Sequence, residues 1–436
     1  MNSKARSLLL RFGLGLLTLL LTIAALWMLS RALYPTDRQL AAVALMQSND
    51  APPGRNAFPA VWTLERAVPE GEMAEVVRRD AHMLDQQPVI GGSDEPFEFE
   101  SSAQDYPGLV PSVADQGLFC QSSSPGCIQR VRADLQSYRE LVDRNRELLD
   151  RGEALFDYDY LHNLLPPRMA GPLPAFGSSR YLPTRHALWF VEGQTDRALA
   201  ASCNAIRGWR RLAASSDMLL SQLIGQAYAT RLHGAVLAEM LTELPLDHTL
   251  PSACASALVT PQPQELSLCS AMRGEYALSA SIMQAVETNA RVSETGITAF
   301  MSRFFYSARA TNAENAEFMA RSCSDEALQE IASDSPQADP PEPLGVLRLA
   351  CLGNFIGCLL NGIAAPAWSS YRLQTQDYGA RLSLLGTLLE ARTRPGDDPA
   401  TAAARVRQRL AKLSNRQRDY RLGADERSIE VAQFRP

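Results

Sequence analysis

The chain has 436 residues, 46% of them apolar and 21% charged, enough to bury a sizeable core, so disorder as its general state is excluded. Its 42 basic and 48 acidic side chains leave a formal charge of −6, which offers no excess of cations to a phosphate backbone, and nucleic acid is not an expected partner. Only Lys4 and Lys412 are lysines, after Ser3 and Ala411, so there is no Gly-Lys-Ser/Thr phosphate loop, no Ser-x-x-Lys pair, and no expectation of a bound nucleotide.

Residues 12–29 read FGLGLLTLLLTIAALWML, eighteen residues without a charge. At 1.5 Å per residue that is about 27 Å, close to the thickness of a hydrocarbon core. A single transmembrane helix is expected, with the lipid bilayer as its partner through residues 12–29. Lys4, Arg6 and Arg11 precede it; Arg31 and Arg38 follow it, partly offset by Asp37, so charge favours a cytoplasmic N-terminus by a small margin. The run exceeds the usual length of a signal-peptide core and no Ala-x-Ala site closes it, which favours an uncleaved anchor over residues 1–34.

Residues 35–55 hold Pro35, Pro52, Pro53 and Gly54 among polar residues and read as a tether. Structure resumes at Asn56 with two short helices broken at Pro69, Val68 and Val76 facing a core and Glu70 and Glu72 near the second start. Residues 86–126 lose helical period and read as loop, including an acidic run over residues 93–100 that reads as solvated rather than as a cation site. Beyond Cys127, the residues Ile128, Val131, Leu135, Tyr138, Val142, Asn145 and Leu149 recur at steps of three and four. They predict one amphipathic helix, with Glu140 to Arg144 and Glu147 to Arg151 as ion pairs. Residues 163–183 carry five prolines and two glycines and predict a second long loop.

From Thr184 helices return to Leu241, the second capped by Thr195 or Asp196 and the third by Ser216 or Asp217. More follow over residues 264–293 and 301–332, then a proline-rich linker within residues 333–345. Residues 349–368 are twenty residues without a charge. Asn354, Asn361, Gly353, Gly357, Gly362 and Pro366 favour a buried helix over a second span, and Gly353 and Gly357 permit close helix contact. Residues 395–436 predict a last helix to about Arg416 and then a β-hairpin, with Tyr420 and Leu422 before a polar turn and Ile429 and Val431 after it.

All eight cysteines lie beyond the anchor. Cys120 and Cys127 flank QSSSPG, a turn that brings two Cα atoms within bonding reach, and Cys254 and Cys269 flank a Pro-containing stretch that a disulfide would staple. Cys351 and Cys358, seven apart in a helix, would hold their Cα atoms about 10 Å apart and cannot bond each other. One of them, Cys351 in first place, is expected to pair with Cys323. These pairs point to an oxidising compartment; the alternative, eight reduced core cysteines, stays open.

No cysteine or histidine spacing suggests a metal, and no cofactor motif is present in the sequence. The only acid/base candidates are Glu275, beside Arg273 and Gly274, and His233 in mid-helix; both have a structural reading as a core ion pair and a core histidine.

The segments NAFPAVWTLERAVPEGE at 56, CIQRVRADL at 127, ALWFVEGQTDRAL at 187, LCSAMRGEY at 268, ATN at 310 and AAPAWSSYRLQTQD at 364 together resemble an uncharacterised group of single-span proteobacterial envelope proteins. That resemblance implies inner-membrane topology and no particular activity. Residues 187–212, with Gly193, Ala198 and Ala205, resemble one tetratricopeptide-type hairpin, but no second copy follows at a period of about 34 residues and no array is expected.

The expected architecture is therefore mainly α: one N-terminal transmembrane helix, an irregular antiparallel helical bundle over residues 56–394 in the periplasm, and a small C-terminal β-hairpin. The expected role is a non-enzymatic protein-binding or envelope-assembly factor with an envelope protein as partner. The alternative is an envelope hydrolase with a site in the 86–126 and 163–183 loops.

Overall fold

The computed structural model describes residues 3–48, 51–90, 99–121, 126–169, 171–293, 296–335, 348–392, 399–414, 418–422 and 429–431. It is mainly helical. The chain divides into two compact units that alternate along the sequence, with Met1–Ser48, Tyr276–Arg321 and Ala338–Ser369 in the first and the remainder in the second. The division falls inside two long helices, Cys269–Ser293 and Phe355–Glu390.

In the first unit, helix Ser3–Leu33 contains Arg11–Leu33, 23 residues with an 18-residue window of mean hydropathy 2.2, long and apolar enough to span a membrane. It is the one such helix among the described residues. The expected tether is instead partly helix Asp37–Gln47. Its start is a capping box: Gln39 N donates to Thr36 Oγ1 at 3.3 Å and Thr36 N donates to Gln39 Oε1 at 3.0 Å. The helix buries Met46 and Gln39, packs on helix Ala308–Ala320, and Arg38 pairs with Glu317 at 3.0 Å. The flanking prolines had masked this Thr-x-x-Gln signature.

Residues 349–363 of this unit are not one helix. Leu349–Leu352 ends at Gly353, and Phe355–Glu390 begins two residues on. The break folds the chain back, so Cys351 and Cys358 pair with their Cα atoms 5.8 Å apart, which corrects the expectation that they stand apart on a continuous helix. One face is buried as expected: Asn354 donates to Thr311 Oγ1, Asn361 to Thr311 O and Glu314, and a Cβ on Gly357 would run into Thr311.

The second unit is built around helix Thr195–Ala214, whose Leu199, Cys203, Ile206, Trp209 and Leu212 are fully buried. Leu182–Val191 and Ser252–Ala257 pack on it. Truncating a side chain like Trp209 to alanine typically costs about 3–5 kcal/mol. Val68 and Val76 are buried as expected, on either side of the start of helix Glu70–Asp85.

Beyond Cys127 the expected seam faces the core, with Ile128, Val131, Tyr138, Asn145 and Leu149 buried. The single helix is, however, three: Cys127–Ala133, Leu135–Arg144 and Arg146–Ala154. Asp134 leaves helical geometry and accepts from Ser137 N, and Asn145 marks the second break, the behaviour of short polar side chains that compete for backbone hydrogen bonds. Glu140 pairs weakly with Arg144 at 3.8 Å, but Arg151 turns inward to the carbonyls of Val68 and Thr63 rather than to Glu147.

Four cysteine pairs stand at disulfide distance. Cys120 and Cys127 pair as expected. Cys254 pairs with Cys203 and not Cys269, and Cys269 pairs with Cys323, so Cys323 is taken and the expected Cys323–Cys351 pair does not form. Helix packing decides this: Ser252–Ala257 lies along Thr195–Ala214, so a partner 51 residues away is nearer than one across the proline stretch.

Helix Pro399–Leu413 closes this unit over Ala380, with Val406, Leu410 and Tyr420 in a small core. Tyr420–Leu422 and Ile429–Val431 run antiparallel, Tyr420 opposite Val431. The expected polar turn between them lies outside the described residues, as do residues 93–98 of the acidic run and most of the 333–345 linker. Arg418, fully buried, donates to Asp334 at 2.6 Å and to Asp377 at 2.9 Å and so ties the C-terminal strands to the helices.

Candidate functional site

The second unit carries a surface groove of about 590 Å³ built on helix Leu182–Val191. Gly193, at φ +82°, makes the turn into Thr195–Ala214, a left-handed conformation that a side chain would strain. The turn brings Arg197 over Trp189, its guanidinium 3.8 Å from the ring centroid, while Arg185, one helical turn before Trp189, approaches at 5.2 Å. Gln194 Oε1 accepts from Arg197 at 2.8 Å and fixes it there. Across the groove stand Arg139, paired to Glu192 at 2.6 Å, and Arg146, paired to Asp143.

From this groove a polar chain runs inward. Arg185 donates to Asp150 at 2.5 Å, Glu153 at 2.9 Å and the carbonyl of Leu149 at 2.9 Å. Glu153 Oε1 stands 3.1 Å from His186 Nε2, and His186 Nδ1 stands 3.2 Å from Ser202 Oγ. Burial holds the His186 imidazole below its usual range despite Glu153, so it is neutral at neutral pH. Burial raises the Glu153 carboxyl, but the favourable contacts from His186 and Arg185 outweigh it and the net direction is down. With His186 neutral, Arg185 is the cation that keeps Glu153 ionised.

Serine, histidine and carboxylate in series is the order of an activated nucleophile. Here Ser202 is 1% exposed and His186 fully buried, so no acyl group can reach the hydroxyl. The series locks three helices together and, through Arg185, sets the position of Trp189.

Of the two sequence candidates, His233 lies at the inner end of this chain, 5.6 Å from His186 ring to ring and edge-on to Phe156. It ends a π-helical turn, Tyr228–His233, and neither of its ring nitrogens has a hydrogen-bond partner among the described residues. Burial, and then His186, hold it well below the usual histidine range. Glu275 is elsewhere: it accepts from Leu219 N at 3.3 Å and so caps helix Leu219–Ala227, the place expected of Ser216 or Asp217. Its carboxyl is pushed up by burial, against the Leu219 amide and with Asp217 adding to the rise. Ser216 Oγ accepts from Met218 N one position earlier, and the helix after Gln194 has no side-chain cap from Thr195 or Asp196. The structure therefore does not bring Glu275 and His233 into one site.

A second cleft, of about 560 Å³, is lined by Arg55, Glu70, Glu147, Asp150, Asp157 and Tyr158 among others. Arg55 pairs with Glu70 at 2.6 Å and lies 4.4 Å over Tyr158. Neither cleft takes a lining residue from the 86–126 or 163–183 loops. No group of three or more potential metal ligands occurs among the described residues. Sequence reasoning missed the groove: Arg185 and Trp189 are i,i+4 on a helix, a legible signal, but Arg197 joins them only through the Gly193 turn, and Ser202 and Glu153 lie 16 and 33 residues from His186.

No protein-family model, curated protein or solved structure matches the chain.

Proposed function

We propose that the chain is a single-span inner-membrane protein whose body lies in the periplasm and binds another envelope protein through the Trp189 groove, acting as a non-enzymatic assembly factor. The observation that carries this reading is Trp189 held against Arg185 and Arg197 in an open groove. Tryptophan and arginine are the residue types that dominate interface energetics, and these two arginines are fixed before any partner arrives. Support for the compartment comes from four cysteine pairs at bonding distance, all beyond a helix able to span a membrane, and from the resemblance to envelope proteins. We read the C-terminal strands as a hairpin docked on that body.

The test is photo-crosslinking in cells from a reactive residue at position 136, an exposed groove position that leaves Trp189, Arg185 and Arg197 in place, in the full-length, membrane-anchored protein, followed by mass spectrometry. One near-stoichiometric envelope partner is expected. Trp189→Ala should weaken that partner's binding by about 2 kcal/mol, near thirtyfold. A protein that stays bare would refute the reading and leave the hydrolase.

A further inference from the structure

Within the first unit, the end of helix Ser3–Leu33 is fixed to two other helices. Trp27 Nε1 donates to Phe304 O at 2.8 Å, with the two rings 5.6 Å apart. Arg31 donates to the carbonyls of Arg303, Phe304 and Tyr306 at 3.0, 3.3 and 3.2 Å, the last carbonyls of helix Gly296–Phe305 and the residue just beyond it. Gly353 N donates to Ser30 Oγ at 3.0 Å, which pins the break before Phe355–Glu390 at the same level. Counted from residue 12, residues 27 to 31 lie about 22 to 28 Å along the helix, at the far edge of a hydrocarbon core about 30 Å thick. Tryptophan and arginine are the residues that settle at that edge.

Both pinned helices turn apolar side chains outward. On the first, Ile297 is 80% exposed, Phe300 51% and Phe304 42%, one stripe at steps of three and four. On the second, Phe355, Leu359 and Ile363 are 41, 46 and 71% exposed, at steps of four, and Leu352, on the short helix before the break, is 40% exposed. The same stretch buries Asn354, 3% exposed, and directs Asn361 inward to Thr311 and Glu314. Water selects the opposite order, leucine in and asparagine out. Asparagine in and leucine out is the order selected by lipid.

We propose that these two faces are immersed in the bilayer, forming an interfacial collar around the end of the span, and that acyl chains, not a protein, cover them. The occupant follows from continuity: the first face ends on Phe304, whose carbonyl accepts from Trp27 and Arg31, and the second flanks Gly353, which donates to Ser30, so whatever solvates that turn of the span reaches them too. A polar pocket of about 340 Å³ lined by Arg31, Glu287, Ala290, Ser302, Arg303 and Tyr306 adjoins the same contact and suits the headgroup layer. The proposal rests on reading residues 12–29 as a span.

The experiment uses the full-length protein in vesicles of phosphatidylethanolamine and phosphatidylglycerol containing a membrane-dissolved carbene-generating photoprobe, with labelled positions mapped by mass spectrometry. Label is expected in residues 12–29 and also in 296–304 and 355–363, above the background set by the charged helix Leu135–Arg144. Label confined to residues 12–29 would overturn the collar and leave the span intact. Absence of label from residues 12–29 would overturn both. Phe300→Asp combined with Leu359→Asp, at exposed positions, should remove the label from the two faces while residues 12–29 keep theirs; unchanged labelling of the faces would also overturn the proposal.

Discussion

Replacing His233 with leucine should stabilise the protein, and more so in acid. The imidazole is fully buried, both nitrogens lack a partner among the described residues, and its neighbours are the rings of Phe156 and His186. An unpaired buried polar group costs about 1–3 kcal/mol, and a volume-conserving apolar replacement costs less than about 1.5 kcal/mol in shape, so a net gain of about 1 kcal/mol is expected at pH 7.5. His186 and His233 are both held below the ordinary histidine range, in each case chiefly by burial. As pH falls through about 6.5 the unfolded chain takes up protons that the folded chain refuses, so stability falls with pH by up to about 1.4 kcal/mol per unit for each histidine until its folded pKa is reached. His233→Leu removes one of the two, so its advantage should widen to at most about 3 kcal/mol at pH 5. Guanidinium unfolding of the full-length protein in detergent, followed by tryptophan fluorescence, reads this directly, because Trp209 packs against Phe156 in the same core. A variant less stable than wild type at both pH values, or a gain that does not change with pH, would refute the reasoning.

Arg418→Met should cost about 3–5 kcal/mol, since it takes a fully buried guanidinium away from the buried Asp377 carboxylate and from Asp334. Limited proteolysis should then cut near Tyr420, and adding Asp334→Asn and Asp377→Asn should recover much of the loss; an intact tail in the single variant would count against the anchoring role. Peptide mapping without reduction should find Cys120 joined to Cys127, Cys203 to Cys254, Cys269 to Cys323 and Cys351 to Cys358. A Cys254 to Cys269 peptide would contradict the helix packing described above. Removing the Cys203–Cys254 pair as a double serine variant should cost about 4 kcal/mol and removing Cys120–Cys127 about 2 kcal/mol, because the longer loop restrains the unfolded chain more; thermal unfolding decides the order.

Helix content and the inward seam after Cys127 were legible because apolar period survives whatever the helices later do. Breaks inside that seam were less so: Asp134 and Asn145 read as seam or surface residues until their hydrogen bonds are seen. The pairing of Cys203 with Cys254 depends on which helices pack side by side, which no local pattern encodes. Glu275 shows the same limit in the site. Its sequence neighbours suggested an ion pair, while its role, to cap a helix that begins 56 residues earlier, is purely tertiary. The helix over residues 37–47 is legible from Thr36 and Gln39, whose capping box outweighs the neighbouring prolines.

The alternation of the two units along the chain sets a delay during synthesis. Helix Asp37–Gln47 leaves the ribosome about 260 residues ahead of its packing partner Ala308–Ala320, a wait of roughly 13 to 50 seconds at usual elongation rates. Throughout that interval Met46 and its neighbours lack the helix they pack on, beside a long apolar helix that has already been made. A newly made chain is therefore most vulnerable to capture or cleavage at its oldest folded-state contact. Changes that weaken this pairing should first lower the amount of protein that matures, before they alter the stability of the molecules that do.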